Sequence, residues 1–270
     1  MSNESAIGVF DSGLGGLSAV RELKKLLPNE NIIYFGDTGR VPYGSKSREI
    51  IRKYTAQDAK FLLSHGVKAI LAACGTVSSN ALECIEAITD IPVFGVVEDA
   101  AREAYEASRT KHIGVIGTQA TVNSGIFKRK IEERDVHAAV LQSACPLFVP
   151  LVEYGFTAEG DEITRLACEH YLAPFRGEVD TLILGCTHFP ILEKAISAAL
   201  PGVTLINPAS AAAKAMAKTL KEQDLLSARE KNGEIRYFVS DEPARFAAEG
   251  KIFLGKDFEI KAKKIEIDKF

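Results

Sequence analysis

Residues Ile70–Asn80 read ILAACGTVSSN: an apolar run meets Cys74, and Gly75, Thr76, Ser78 and Ser79 follow. Leu182–His188, LILGCTH, repeats the arrangement with Cys186 and Thr187, and Pro190 opens the next helix. A short unbroken apolar run bounded by turn residues is the pattern of a strand buried on both faces, as in parallel sheets. In open α/β sheets ligands gather outside the carboxyl ends of the strands. Both cysteines stand at such ends. The pattern points to one cleft with sulfur on two sides.

Outward from these two stretches, strands and helices alternate. Ile7–Phe10, Asn31–Phe35, Ile91–Val96, Ile113–Ile116, Ala138–Leu141, Val203–Ile206 and Arg236–Val239 read as strands, with strand character also at Phe258–Ile267. Helical periodicity runs over Leu17–Leu27, from Ser47 to His65, and over Ser79–Ile88 and Glu98–Ser108. It returns over Ser124–Glu133, Asp161–Tyr171, Pro190–Leu200 and Ala209–Glu222. Arg40–Ser45 is a loop carrying Pro42 and Gly44, and Leu147–Tyr154 is a short apolar segment. Ile113–Ile116 (IGVI, then GT) echoes Ile7–Phe10 (IGVF, then DS), at nearly the offset that separates the two cysteines. The echo predicts an internal repeat. The expected fold is α/β: two pseudo-symmetric, doubly wound lobes with the active site in the cleft between them. Residues 1–97 and 209–270 are expected to form one lobe, completed by the C-terminal segment, and 98–208 the other.

Of the 270 residues, 46% are hydrophobic and 26% charged, and the net charge is −3. That balance gives no electrostatic reason to expect a nucleic-acid partner. No apolar run approaches the roughly 20 residues of a membrane span. The opening MSNESAIGVF lacks a basic segment followed by an apolar one, so the expected location is the cytoplasm. Cys74, Cys84, Cys145, Cys168 and Cys186 contain no Cys-x-x-Cys pair, which argues against a zinc cluster or redox dithiol. Cys84, Cys145 and Cys168 read as small buried hydrophobes.

The turn Gly13/Gly15/Gly16, with Asp37 ending the second strand, resembles a dinucleotide fingerprint. Ser18 replaces its third glycine, however, and Asp11-Ser12 sets a carboxylate where pyrophosphate should approach. A small carboxylate ligand at this helix N-terminus fits better. Asp11 is either a helix cap or the partner of a base. Thr76, Thr118, Thr121 and Thr187 follow strands and are either caps or groups that hold a carboxylate or ammonium. His188, two residues after Cys186, is placed to take the thiol proton or to stabilise the thiolate. Glu153 is a solvated helix residue or a site acid. Two thiols across a cleft suit the inversion of a carbon centre: one removes a hydrogen from one face and the other delivers one to the opposite face.

The motifs FDSGLGGLS (Phe10–Ser18), YFGDTGRVPYG (Tyr34–Gly44), CGT (Cys74–Thr76), FGVVE (Phe94–Glu98), IGTQAT (Ile116–Thr121), FVPLVE (Phe148–Glu153) and LILGCTHFPIL (Leu182–Leu192) run nearly end to end. With the tail SDEPARF…FLG, the chain resembles the glutamate racemases of the cofactor-independent aspartate/glutamate racemase superfamily. The resemblance implies two α/β lobes with glutamate between them, no pyridoxal phosphate or metal, often a homodimer, and a role in supplying D-glutamate for peptidoglycan. It implies Cys74 and Cys186 as the acid/base pair, Asp11 and His188 as their respective partners, and Glu153 as a further acid near the second. Substrate would be lined by Asp11, Ser12, Pro42, Tyr43, Gly44, Gly75, Thr76, Thr121, Thr187 and His188.

Four positions depart from that pattern. Gly75 stands where the family usually has asparagine, removing an amide donor and acceptor. Val77–Ser79 replaces a run of small residues, Phe127 a common tyrosine and Asn207 a common aspartate. On this reading Gly75→Asn is expected to keep or raise affinity for glutamate. The alternatives are a racemase for another amino acid such as aspartate, a cysteine hydrolase using Cys186 and His188 alone, and a non-catalytic amino-acid-binding relative.

Overall fold

In the computed structural model, which describes residues 3–255 and 258–270, the strands assemble into two sheets. Ile7–Asp11 (β1), Ile32–Gly36 (β2), Ala69–Ala72 (β3) and Val93–Gly95 (β4) belong to the first sheet. His112–Gly117 (β5), Ala139–Ala144 (β6), Thr181–Leu184 (β7) and Thr204–Ile206 (β8) make the second. Ile235–Val239 (β9) and Ala262–Lys264 (β10) return to the first. The orders are β10-β9-β2-β1-β3-β4 and β6-β5-β7-β8, and every pairing is parallel. β1, β2, β3 and β7 are buried along their whole lengths, as strands covered by helices on both faces must be.

The internal echo in the sequence is a repeat of topology. β2-β1-β3-β4 and β6-β5-β7-β8 share one order, with Gly8 opposite Ile70 in the first sheet and Gly114 opposite Leu182 in the second. Cys74 and Cys186 therefore lie just beyond equivalent strands, β3 and β7. One hydrophobic core runs through both halves, from Ile7, Val9 and Leu71 to Leu182, Leu184 and Phe189. Helix Pro208–Glu222 packs against both Leu17–Leu26 and Val97–Ala107 and so ties the halves together. The residues beyond 209 contribute β9 and β10 to the first sheet. The expected bounds 1–97 and 209–270 include residues 1, 2, 256 and 257, which lie outside the described residues.

Several elements differ from the sequence expectation. The helix expected from Ser79 begins at Gly75, directly after Cys74, and runs to Asn80, with a second piece at Leu82–Glu86. Serines favour turns because they compete for nearby backbone groups. Here Ser78 is engaged elsewhere, since its hydroxyl donates to the Ala72 carbonyl at 2.9 Å and accepts from Val96 N at 3.1 Å. The helix expected over Ser124–Glu133 is two, Gln119–Ser124 and Ile126–Glu132, broken at Gly125, whose φ of 62° is left-handed. Leu147–Tyr154 contains a helix, Phe148–Glu153, and only Ala262–Lys264 of Phe258–Ile267 is paired as a strand. Pro243–Glu249 is a helix that the sequence reading omits.

Candidate active site

The cysteines are delivered by local structure. Cys74 has an extended backbone (φ −67°, ψ 121°) and is the residue from which helix Gly75–Asn80 starts. Cys186 follows β7 in a turn that feeds the short helix Phe189–Leu192. Both sulfurs are covered: Cys74 is 5% exposed and Cys186 8%. Cys74 Sγ donates to Ser12 Oγ at 3.7 Å, and Cys186 Sγ lies 3.9 Å from His188 Nδ1. Burial pushes the Cys74 thiol up to about 12, with the nearby Asp11 charge adding to the rise. At neutral pH Cys74 carries its proton.

His188 is held from several sides. Its Nε2 is 3.1 Å from Glu153 Oε1, its Nδ1 is 3.4 Å from Thr187 Oγ1, and its ring meets Phe253 edge-on. Burial alone would pull the imidazole down, but Cys186 and Glu153 together raise it to about 10. A positive charge thus sits beside the Cys186 sulfur. The stability consequence has a definite sign. A histidine raised from its ordinary value near 6.5 stabilises the fold fully below that value, and the contribution is lost as pH rises through about 10. The wild-type melting temperature is expected to fall between about pH 7 and 10.5, and His188→Asn to flatten that slope. Thermal scans of both proteins across this range check it, and parallel slopes would refute it.

Asp11 ends β1. Its Oδ2 accepts from Gly13 N at 2.9 Å, while its buried Oδ1 has no hydrogen-bond partner among the described residues. It caps no helix, because Leu17–Leu26 starts from Gly16 without a side-chain cap. Burial pushes its carboxyl up, and the His188 charge opposes this. An unpaired carboxylate oxygen suits an ammonium or a proton in transit.

The threonines link the halves. Thr76 Oγ1 is 3.0 Å from Thr118 Oγ1, which is 3.1 Å from Thr121 Oγ1. Thr118 also caps Gln119–Ser124 by accepting from Thr121 N at 3.3 Å. The expected loop Arg40–Ser45 ends in a 3-10 turn, Tyr43–Ser45, with Pro42 exposed, Gly44 half-buried and Tyr43 fully buried. The Tyr43 hydroxyl donates to Asp37, and it is 2.9 Å from Asp58 Oδ2. Its ring therefore faces the first half's interior, and its backbone is what it can offer a ligand. Asp37 Oδ2 also accepts from Arg40 Nε at 2.6 Å and the residue is fully buried, so its carboxylate is not presented to a ribose and the dinucleotide reading fails.

Two glycines set the approach of the halves. A Cβ at Gly75 would stand 2.3 Å from the Gly185 carbonyl oxygen, and one at Gly15 2.1 Å from Thr187 Oγ1. The space left beside Cys186, lined by Gly75, Gly185, Thr187 and Pro208, is about 10 Å³, room for one water. Sequence reasoning missed Phe253 and Tyr34, whose hydroxyl donates to the Gly13 carbonyl at 2.8 Å. Only a contact across the fold reveals them.

Known proteins resemble this chain in sequence and fold. Residues 8–216 match the Asp/Glu/Hydantoin racemase family model. The glutamate racemase of Chlorobaculum tepidum is 45% identical over 260 residues, covering 95% of each chain. The solved glutamate racemase of Francisella tularensis, in complex with D-glutamate, superposes with a TM-score of 0.92 at 39% identity, covering 99% of this chain and 100% of that one. That of Thermus thermophilus, in complex with beta-chloro-D-alanine, gives 0.90 at 42% identity over 100% of both chains. With both cysteines at equivalent strand ends of a repeated α/β unit, this chain belongs to the Asp/Glu/hydantoin racemase family.

Proposed function

We propose that this protein interconverts L- and D-glutamate by proton transfer between the substrate's α-carbon and two thiols, Cys74 and Cys186. The observation that carries the reading is their placement beyond equivalent strands of a repeated unit. Substrate and product are near mirror images, and a repeated fold presents equivalent groups to the two faces. In one direction a thiolate takes the α-hydrogen as a proton, the electron pair stays on carbon, and the opposite thiol delivers its proton to the other face. The reverse direction exchanges the roles. Asp11 partners Cys74, and His188, held by Glu153, partners Cys186. Ser12, Thr76, Thr121 and Thr187 supply hydroxyls to the substrate, and Pro42, Tyr43, Gly44 and Gly75 line it with backbone.

Both sulfurs are almost fully covered, so glutamate reaches them only when the halves move apart. We assign 1–97 with 209–270 to one lobe and 98–208 to the other. A homodimer is supported by an apolar face exposing Leu147, Tyr154, Phe156, Ile163 and Leu166. No helix among the described residues is long and apolar enough to cross a membrane. The reading places the protein in the cytoplasm, supplying D-glutamate for peptidoglycan.

The deciding experiment is incubation with L-glutamate in deuterated water without added cofactor. Loss of optical rotation accompanied by deuterium at the α-carbon is expected. Absence of both signals with glutamate, but their presence with aspartate, would transfer the activity to that substrate. Binding without exchange would make the protein a non-catalytic relative.

A further inference from the structure

Away from the cysteines, a cleft of about 430 Å³ opens between the two halves, and its lining is basic. Lys46 and Arg48 come from the entry to helix Arg48–Ser64, Ser79 and Asn80 from the end of the helix that starts at Cys74, and Asn123 and Arg129 from the second half. Among the described residues no acidic side chain lines it. Arg48 is shared with the Asn80 carbonyl at 3.2 Å and with Glu83 at 3.3 Å. Lys46 and Arg129 have no acidic partner among the described residues; Arg129 donates only to the Ser124 carbonyl, at 2.9 Å.

The second observation is Ser79. It is 8% exposed, it lines this cleft, and its hydroxyl has no hydrogen-bond partner among the described residues. A buried hydroxyl left unpaired is costly, and buried polar groups are nearly always satisfied. Its position lies within the stretch that departs from the family's run of small residues. Asn123 Oδ1 accepts from Gln119 Nε2 at 2.7 Å, which leaves its amide hydrogens to donate. The N-terminus of the 17-residue helix Arg48–Ser64 at the rim adds its own preference for negative charge.

We propose that this cleft binds a small phosphate-class polyanion, held by Lys46, Arg48 and Arg129 with hydrogen bonds from Ser79 and Asn123. Cations converging with neutral donors match the oxygens of a phosphoryl group, and a guanidinium binds them in a bidentate fashion. Because the lining comes from both halves, the anion would tie them together at a distance from the thiols.

Inorganic pyrophosphate is the probe, titrated calorimetrically into the full chain at constant ionic strength against a sodium chloride control. The readout is heat of binding, so it does not depend on the racemase reading. Saturable binding is expected, weakened about tenfold or more by Lys46→Ala combined with Arg129→Ala, as loss of charge-assisted contacts implies. Ser79→Ala keeps every charge and is expected to weaken binding severalfold. It should also leave the melting temperature of the unliganded protein unchanged or higher, because it removes an unpaired hydroxyl. A serine serving only the fold would lower it. No saturable heat in the wild type, equal heat from chloride, or unchanged affinity in the Ser79→Ala protein would each overturn the proposal. The Ser79→Ala arm decides even where the double variant does not fold.

Discussion

Cys74→Ser and Cys186→Ser are each expected to lower glutamate interconversion by about 10³-fold or more, the scale of a lost acid–base group, with glutamate binding retained. A serine hydroxyl is close in size to a thiol and keeps the hydrogen-bonding pattern around it. Ser12 can still accept from position 74, and His188 can still meet position 186. What is lost is acidity. A hydroxyl holds its proton far more tightly than a thiol, and burial, which already pushes Cys74 up to about 12, would make ionisation harder still. The two variants should fail alike, because inversion needs both a donor and an acceptor. Circular dichroism of L- and D-glutamate measures interconversion, and calorimetry measures binding. Full activity in either variant would remove that cysteine from the chemistry. Failure of Cys186→Ser alone would favour a single-nucleophile enzyme.

The second large effect is at Gly75, where the structure reverses the sequence expectation. An asparagine there is expected to reduce activity rather than raise affinity. Its Cβ alone would meet the Gly185 carbonyl oxygen at 2.3 Å, a backbone atom. That backbone cannot easily retreat, since Gly185 N donates to the Ile116 carbonyl at 2.7 Å. Relief must come from moving the Cys74 and Cys186 loops apart, and a displacement of about 1 Å at reacting groups can cost about 10²-fold in rate. Overpacking of this kind also destabilises by about 1–3 kcal/mol, a loss of several degrees in melting temperature. Gly75→Ala should show most of the effect, because the first carbon makes the clash. Unchanged kcat/KM and melting temperature in both variants would mean that the halves react further apart than they stand in this structure.

The strands were legible because burial on both faces leaves continuous apolar runs, as in Ile70–Ala73 and Leu182–Leu184. The cysteines, His188 and Glu153 were legible through their positions after those runs and through family motifs. Tertiary bonds hid other features. Ser78 serves as a tie between Ala72 and Val96, which allows a helix where local preference reads a turn. Pro150 masked Phe148–Glu153, although a proline is tolerated in a first helical turn. Pro243 opens helix Pro243–Glu249 in the ordinary way, a signal present in the sequence and passed over. Tyr43 sits in a loop that reads as a ligand contact, yet Asp37 and Asp58 take its hydroxyl, and no spacing rule foretells that.

The coverage of both sulfurs has a consequence for the flow of hydrogen. On the proposed mechanism, after one turnover the sulfur that took the α-hydrogen is protonated and the one that gave its own is bare. The protein is then the mirror image, in proton placement, of the form that began. It can receive the opposite enantiomer at once, but it must reset before accepting another molecule of the first. Resetting needs a proton to pass through water, and while the halves are closed water has little access to sulfurs only 5% and 8% exposed. The protein would therefore keep a memory of the handedness of its last substrate. At high concentrations of both enantiomers, isotope taken from one should be captured by the other before it escapes to solvent, and throughput should be capped by resetting rather than by bond breaking.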